Sequence, residues 1–194
     1  ALEEMLAGLP FKVVGYAKPG LPLTKLILDE VDTDTRVIVL RNHGLICCGE
    51  TVEEVASLVD EVEDRLALPT RDTTSAVPDV HPAPGYEWAP EGWLAQDKEV
   101  CEIVLAGTYY PDHIVFLGSA LPQSTDTDRP AVLIPGHGVL LKTDATDVQK
   151  QMLRCLSDVF AMMPKQWRPI PIGLDAEAAL LNWDAEKYRQ GLAA

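Results

Sequence analysis

The chain reads as an α/β protein built from two related units, and three observations predict this. Residues 36–40, RVIVL, run through β-branched and aliphatic positions without alternation, the pattern of a strand covered on both faces. A polar cap, Thr51 with Glu54, follows closely and opens an amphipathic helix. The third observation is a repeat. DTDTRVIVLRNHGLIC, from Asp32, aligns without gaps on DTDRPAVLIPGHGVLL, from Asp126. Asp32, Thr33, Asp34, His43 and Gly44 recur as Asp126, Thr127, Asp128, His137 and Gly138, and seven further positions exchange one small or apolar residue for another, which chance rarely produces.

Each element follows from its own residues. A short N-terminal helix is apolar at Leu2, Met5, Leu6 and Leu9 and stops at Pro10; a brief strand around Val13 and Val14 ends in the turn at Lys18–Gly20. LPLTKLILDEV places Leu23, Leu26, Ile27 and Val31 on one helical face, with Pro22 tolerated in the first turn. The strand at 36–40 is interrupted by His43 and Gly44 and resumes at Leu45–Cys48. The capped helix carries a stripe of Val52, Val55, Val59, Val62 and Leu66 and stops at Pro69. Residues 70–93 lack periodicity but hold Tyr86, Trp88 and Trp93, so they read as an ordered linker. LAQDKEVCEIVLAG is a helix, and YYPDHIVFLG a turn followed by a strand. The second repeat leads into a helix with the stripe Val148, Met152, Cys155, Leu156, Val159, Phe160 and Met163. The expected division is residues 1–68, a linker at 69–93, and a second unit at 94–194.

Composition limits the function. The 194 residues are 47% hydrophobic, enough to close a core, and a net charge of −14 opposes the phosphate-neutralising surface that nucleic acids require. No apolar stretch approaches a membrane span, and the N-terminus lacks the order of a signal peptide, so a cytoplasmic protein is the expectation. Cys47 and Cys48 are neighbours that point to opposite faces of a strand and cannot form an ordinary disulfide with each other. Cys101 and Cys155 read as small hydrophobes, and no CxxC spacing suggests a zinc ribbon. The chain opens inside a helix with no cap and no initiating methionine, which suggests an upstream portion that was cleaved or belongs to another chain.

The repeated histidine admits three readings from spacing alone. A buried His before Gly can hydrogen-bond a carbonyl and hold a bulge, Gly accepting the unusual backbone angles. A metal ligand needs companions, because catalytic zinc takes three protein ligands, and His43 has no second His near it in sequence. A Ser/His/Asp triad lacks its Gly-x-Ser-x-Gly turn, and neither a Walker loop nor GxGxxG occurs. His81, in DVHPAP, reads as a solvated loop histidine, and His113, in YYPDHI, as a hydrogen-bonding turn residue.

The segment LPLTKLILDEVDTDTRVIVLRNHGLICCGETVEEVASLVDEVEDRL is similar to the closing third of the class II aldolase/adducin family, in which helix, strand, HG and a second capped helix follow in this order. The resemblance covers about residues 10–68, and NHGLI with G-x-(S/T)-x-x-E behind it is its most specific part. YYPDHIVFLG and LLNWDAEKYRQ further resemble the longer members, including the aldolase half of bifunctional rhamnulose-phosphate aldolase/short-chain dehydrogenases. The resemblance implies an α/β/α sandwich around a mainly antiparallel sheet, the second unit being a degenerate copy. It also implies zinc or another divalent metal held by three histidines, the third of which maps onto His43. The implied chemistry is metal-dependent aldol cleavage of a sugar phosphate of the ketose 1-phosphate type, giving dihydroxyacetone phosphate and an aldehyde. An epimerase or decarboxylase on the same metal, or a non-catalytic adducin-like binding or assembly module, is the alternative.

Two departures qualify the resemblance. The family's paired His-x-His occurs nowhere in these 194 residues, and its phosphate-binding loop and acidic catalytic residue also precede the matching segment. The missing parts are expected on an N-terminal portion or partner chain. His137 is then expected to occupy the same structural corner as His43 without metal. The partners implied are a small sugar-phosphate substrate and further copies of the chain, in a homotetramer, with no nucleic acid and no membrane.

Overall fold

The computed structural model describes residues 1–192, which divide into two units, Ala1–Leu68 and a second that starts at Pro69. Both mix helices with a three-stranded sheet. None of the helices among the described residues is long and apolar enough to cross a membrane.

In the first unit the order is α1 (Leu2–Met5), β1 (Phe11–Val14), α2 (Leu21–Glu30), β2 (Val37–Leu40), β3 (Gly44–Cys47) and α3 (Val52–Leu66). β1 and β2 are parallel, with Val14 opposite Leu40, and α2 is the crossover between them. β3 pairs antiparallel with β2, Leu40 opposite Gly44, so one of the two pairings is parallel. Helices cover both faces of β2, which explains its continuous apolar run. Val37 packs with Leu6, Leu58 and Val62 of the α1 and α3 side, and Ile38 and Leu40 pack with Val14 and Leu23 of the α2 side. Cys47 and Cys48 join these opposite clusters, one each, as strand alternation demands.

α3 buries only part of the stripe expected for it. Leu58 and Val62 are its buried residues, while Val52 and Val59 stay exposed on the flank that the sheet does not reach. Its cap also departs from a reciprocal box. Thr51 Oγ1 accepts from the Glu54 N–H at 3.1 Å, but the Glu54 carboxylate turns to the Glu50 N–H at 3.0 Å instead of that of Thr51.

The second unit holds β4 (Tyr86–Trp88), α4 (Trp93–Gln96), α5 (Lys98–Ala106), α6 (Pro111–Leu117), β5 (Ala131–Ile134), β6 (Gly138–Lys142), α7 (Asp147–Met162), α8 (Leu174–Leu181) and α9 (Asp184–Leu192). Its sheet is antiparallel throughout in the order β4-β6-β5. Ala131, Leu133, Val139 and Leu141 face a core shared with Leu94, Val104, Leu153, Leu156 and Phe160. The Trp93 indole N–H donates to Ser157 Oγ at 2.7 Å inside that core.

Residues 69–93 fall within this unit and supply its strand β4. Arg71 pins their start to the end of α7: its N–H donates to Ala161 O at 2.7 Å and its Nε to Met163 O at 2.8 Å. The helix expected from LAQDKEVCEIVLAG is two helices, because Asp97 leaves helical geometry and caps the second by accepting from the Val100 N–H. Residues 111–117 form a helix where the β-branched HIVF suggested a strand. Pro111 sits at its first turn and Gly118 closes it at φ 81°, so the bracketing residues outweigh the propensity between them. Cys155, expected in the buried stripe of α7, is exposed.

The repeat corresponds to one shared substructure. β2 with β3 and β5 with β6 are antiparallel hairpins of identical register, Val37 opposite Cys47 through Leu40 opposite Gly44 in the first, Ala131 opposite Leu141 through Ile134 opposite Gly138 in the second. Each leads to a helix capped by a threonine, Thr51 or Thr146, and the second cap is a complete capping box with Gln149. The third strands differ: β1 lies beside the first hairpin strand, β4 beside the second one.

Candidate functional site

The His-Gly pair does not interrupt a continuous strand. The chain reverses there. In the first unit the turn runs Leu40–Arg41–Asn42–His43, the His43 N–H donating to Leu40 O at 3.1 Å. Asn42, at φ 57°, occupies the left-handed position of a type II turn. In the second unit Pro135 and Gly136, at φ 76°, are the turn's central residues, and the His137 N–H donates to Ile134 O at 3.0 Å. Proline at the first central position and glycine or asparagine at the second are what this turn selects. Both histidines are therefore exposed at hairpin tips, which corrects the reading of a buried histidine holding a bulge.

His43 stands at the end of β2 where the parallel β1 also stops. The Arg41 N–H donates to Val14 O at 3.0 Å and ties the turn to β1. Tyr16 leaves β1 at that same end; its hydroxyl is buried without a hydrogen-bond partner, and burial raises its pKa. No sequence signal singled out Tyr16, because a lone tyrosine in a loop has no periodicity. The opposite end of the hairpin carries a cavity of about 460 Å³ lined by residues including Asp34, Arg36, Cys48, Glu50 and Glu54, one strand length away from the His43 turn. Arg36 Nε donates to Cys48 O at 3.4 Å and its guanidinium lies 3.9 Å from the Glu54 carboxylate, so the cation offsets one of the carboxylates that line this cavity.

Among the described residues no three His, Cys, Asp or Glu side chains gather into a group able to hold a metal ion. His43 is one accessible donor, and one imidazole does not fit a resident catalytic metal by itself.

The second unit arranges its histidines differently. His81 and His137 line one cavity of about 430 Å³ together with Val80, Ala83, Trp88, Gln123, Ser124, Thr125, Ile134 and Leu140. His137 Nδ1 lies 3.1 Å from Pro135 O, a carbonyl that can only accept, so Nδ1 is the donor of that contact and Nε2 is left for other partners. His113 sits inside α6 with no exposure, and neither ring nitrogen has a hydrogen-bond partner, which corrects its reading as a hydrogen-bonding turn residue. Burial, then the charge of Arg129, push its pKa down to about 4, so it is neutral at pH 7. The Tyr110 ring lies tilted 5.5 Å from it.

Residues 2–68 match the family model "Class II Aldolase and Adducin N-terminal domain". The match ends at Leu68, where the first unit ends. The 3-oxo-tetronate 4-phosphate decarboxylases of two Escherichia coli strains are 34% identical to this chain over 56 residues, 29% of the chain. The aligned part spans 26% of the length of those relatives. No solved structure matches the chain.

Proposed function

We propose that the first unit is part of a divalent-metal-dependent carbon–carbon lyase acting on a small phosphorylated sugar. In this reading His43 is one metal ligand. The other donors, the phosphate-binding loop and the acidic catalytic residue come from polypeptide outside these 194 residues. The observation that carries the reading is the family match over residues 2–68 combined with the position of His43, an exposed imidazole on a short hydrogen-bonded turn at one end of the sheet. A turn set by Asn42 and tied to β1 fixes the backbone from which the imidazole projects, which helps to place a ligand. A divalent metal, zinc in the first instance, supplies Lewis-acid pull on a substrate oxygen when bound.

Two reactions share that requirement. Aldol cleavage of a ketose 1-phosphate to dihydroxyacetone phosphate and an aldehyde breaks a carbon–carbon bond and leaves its electron pair on the carbon next to a carbonyl. Loss of carbon dioxide from a 3-oxo sugar acid phosphate does the same. The decarboxylase relatives favour keeping the second reaction beside the first. The exposed apolar residues Leu45 and Ile46 on the free edge strand β3 support further polypeptide covering this unit. A cytoplasmic homotetramer belongs to the same proposal. So does reading the second unit, on its matching hairpin register, as a degenerate copy in which His137 holds no metal.

The test uses the full-length, zinc-loaded protein. It is expected to release dihydroxyacetone phosphate from a ketose 1-phosphate, or carbon dioxide from a 3-oxo sugar acid phosphate. Release of neither product from protein with bound metal contradicts the lyase reading and favours a binding or assembly module.

A further inference from the structure

The cavity of the second unit is built by ties that belong to three separate stretches of chain. The Gln96 side chain, at the end of α4, donates through Nε2 to Ala76 O at 2.7 Å and to His137 O at 2.6 Å, and its Oε1 accepts from the Ala76 N–H at 2.9 Å. One amide thus clamps the loop that leads to His81 onto the His137 turn. The Trp88 indole N–H donates to Val80 O at 3.0 Å and holds that loop a second time, next to His81 itself. The Gly136 N–H donates to Ala95 O at 2.7 Å and anchors the turn to α4. Trp88 stands opposite Leu140 in the sheet, and Gly138 leaves room for its ring: a Cβ there would meet Trp88 Cε3 at 3.2 Å. Two histidines 56 positions apart are held on one concavity by contacts that no nearest-neighbour packing requires.

The lining specifies the class of ligand. The walls combine an indole and the aliphatic side chains of Val80, Ile134 and Leu140 with two imidazoles, two hydroxyls and the Gln123 amide. It contains no lysine, arginine, aspartate or glutamate, although the chain carries 30 acidic residues. An anionic ligand such as a phosphate ester finds no cation there, and a cationic ligand finds no carboxylate. A neutral molecule with many hydroxyls matches each part, since its C–H face packs on the indole while its hydroxyls exchange hydrogen bonds with His137 Nε2, His81, Thr125 and Gln123. The volume falls in the range of about 300–1,000 Å³ usual for small-molecule sites.

We propose that the second unit binds a neutral monosaccharide or sugar alcohol in the cavity between the His81 loop and the His137 turn. The inference depends on residues of the second unit alone and stands or falls apart from the lyase reading of the first.

Calorimetric titration of the full chain with D-ribose, L-rhamnose and erythritol, and with D-ribose 5-phosphate as the charged probe, tests it. Saturable binding of at least one neutral probe is expected, weakened tenfold or more in His81→Ala and in His137→Ala. Ribose 5-phosphate should gain nothing at this cavity: any binding it shows beyond that of ribose should persist undiminished in His81→Ala and His137→Ala. Gln96→Leu should weaken binding as well, and Gln96→Asn should not restore it, because the shorter amide cannot span Ala76 and His137. Melting curves identify any variant that fails to fold; His81 lies on an exposed loop, so its variant keeps the test valid. Three results overturn the proposal: no saturation by any neutral probe, tighter binding of the phosphorylated probe that His81→Ala and His137→Ala weaken, or undiminished binding of the neutral probe in both histidine variants.

Discussion

His113 makes the sharpest energetic statement of any single residue in the chain. Its ring is buried with both nitrogens unpartnered, and its pKa falls from 6.5 to about 4. Between these values the unfolded chain takes up a proton that the folded chain refuses, so stability falls as pH drops through that window and is fully present above it. The whole window is worth on the order of 3 kcal/mol. His113→Leu removes the linkage, and its melting temperature should decline less steeply than the wild type's between pH 7 and pH 4.5; parallel slopes contradict this account. Gly118 offers a second test. A Cβ at this position, where φ is 81°, would lie 0.8 Å from Arg129 Nη1, which donates to Leu117 O at 3.1 Å. Gly8 has a similar φ of 84° and open space around it. Gly8→Ala should cost only backbone strain, about 1–2 kcal/mol, whereas Gly118→Ala must also displace the guanidinium. Urea titrations should show a larger loss at Gly118, and the excess should vanish in an Arg129→Ala background.

The two hairpins share a register but differ in what lies beside them, and that difference explains their turn residues. Arg41 has an N–H that reaches Val14 O in β1. On the equivalent side of the second hairpin no strand pairs among the described residues, because β4 lies next to β6, so Pro135 loses no ladder bond there. Arg41→Pro is expected to cost about 1–3 kcal/mol by leaving a buried carbonyl unpaired, and Pro135→Arg less than about 1 kcal/mol. Equal costs in thermal melts would show that the strand order does not set turn chemistry. Threonine caps, strand-forming runs and turn residues act over a few positions, so β2, β3, β5, β6 and the starts of α3 and α7 are legible in the sequence. The side on which a third strand pairs is decided by packing between distant segments and leaves no local mark. For the same reason α3 turns Leu58 inward and Val59 outward, although both are apolar. Pro111 and Gly118, which bracket α6, are visible in the sequence, but Ile114 and Val115 between them carry strand propensity, so propensity taken alone misreads the segment. The site in the second unit is legible only as isolated parts, since Gln96, which joins His137 to the His81 loop, looks like any polar helix residue.

At the scale of the whole molecule, each unit has a sheet and core clusters of its own, and the family match stops where the first unit does. The 194 residues alone should bind zinc weakly, because a single histidine cannot replace three converging donors. Equilibrium dialysis finding tight stoichiometric zinc on this chain would place the ligands within it. The central claim, that the exposed His43 is a metal ligand of a lyase, is tested most directly by metal analysis of purified full-length protein carrying either His43→Ala or His137→Ala, with melting temperature recorded on both. The prediction is loss of bound metal and of turnover in the first variant with folding intact, and retention of both in the second, whose hairpin tip has the same backbone pairing. A His43→Ala protein that keeps its metal and its turnover would contradict the account.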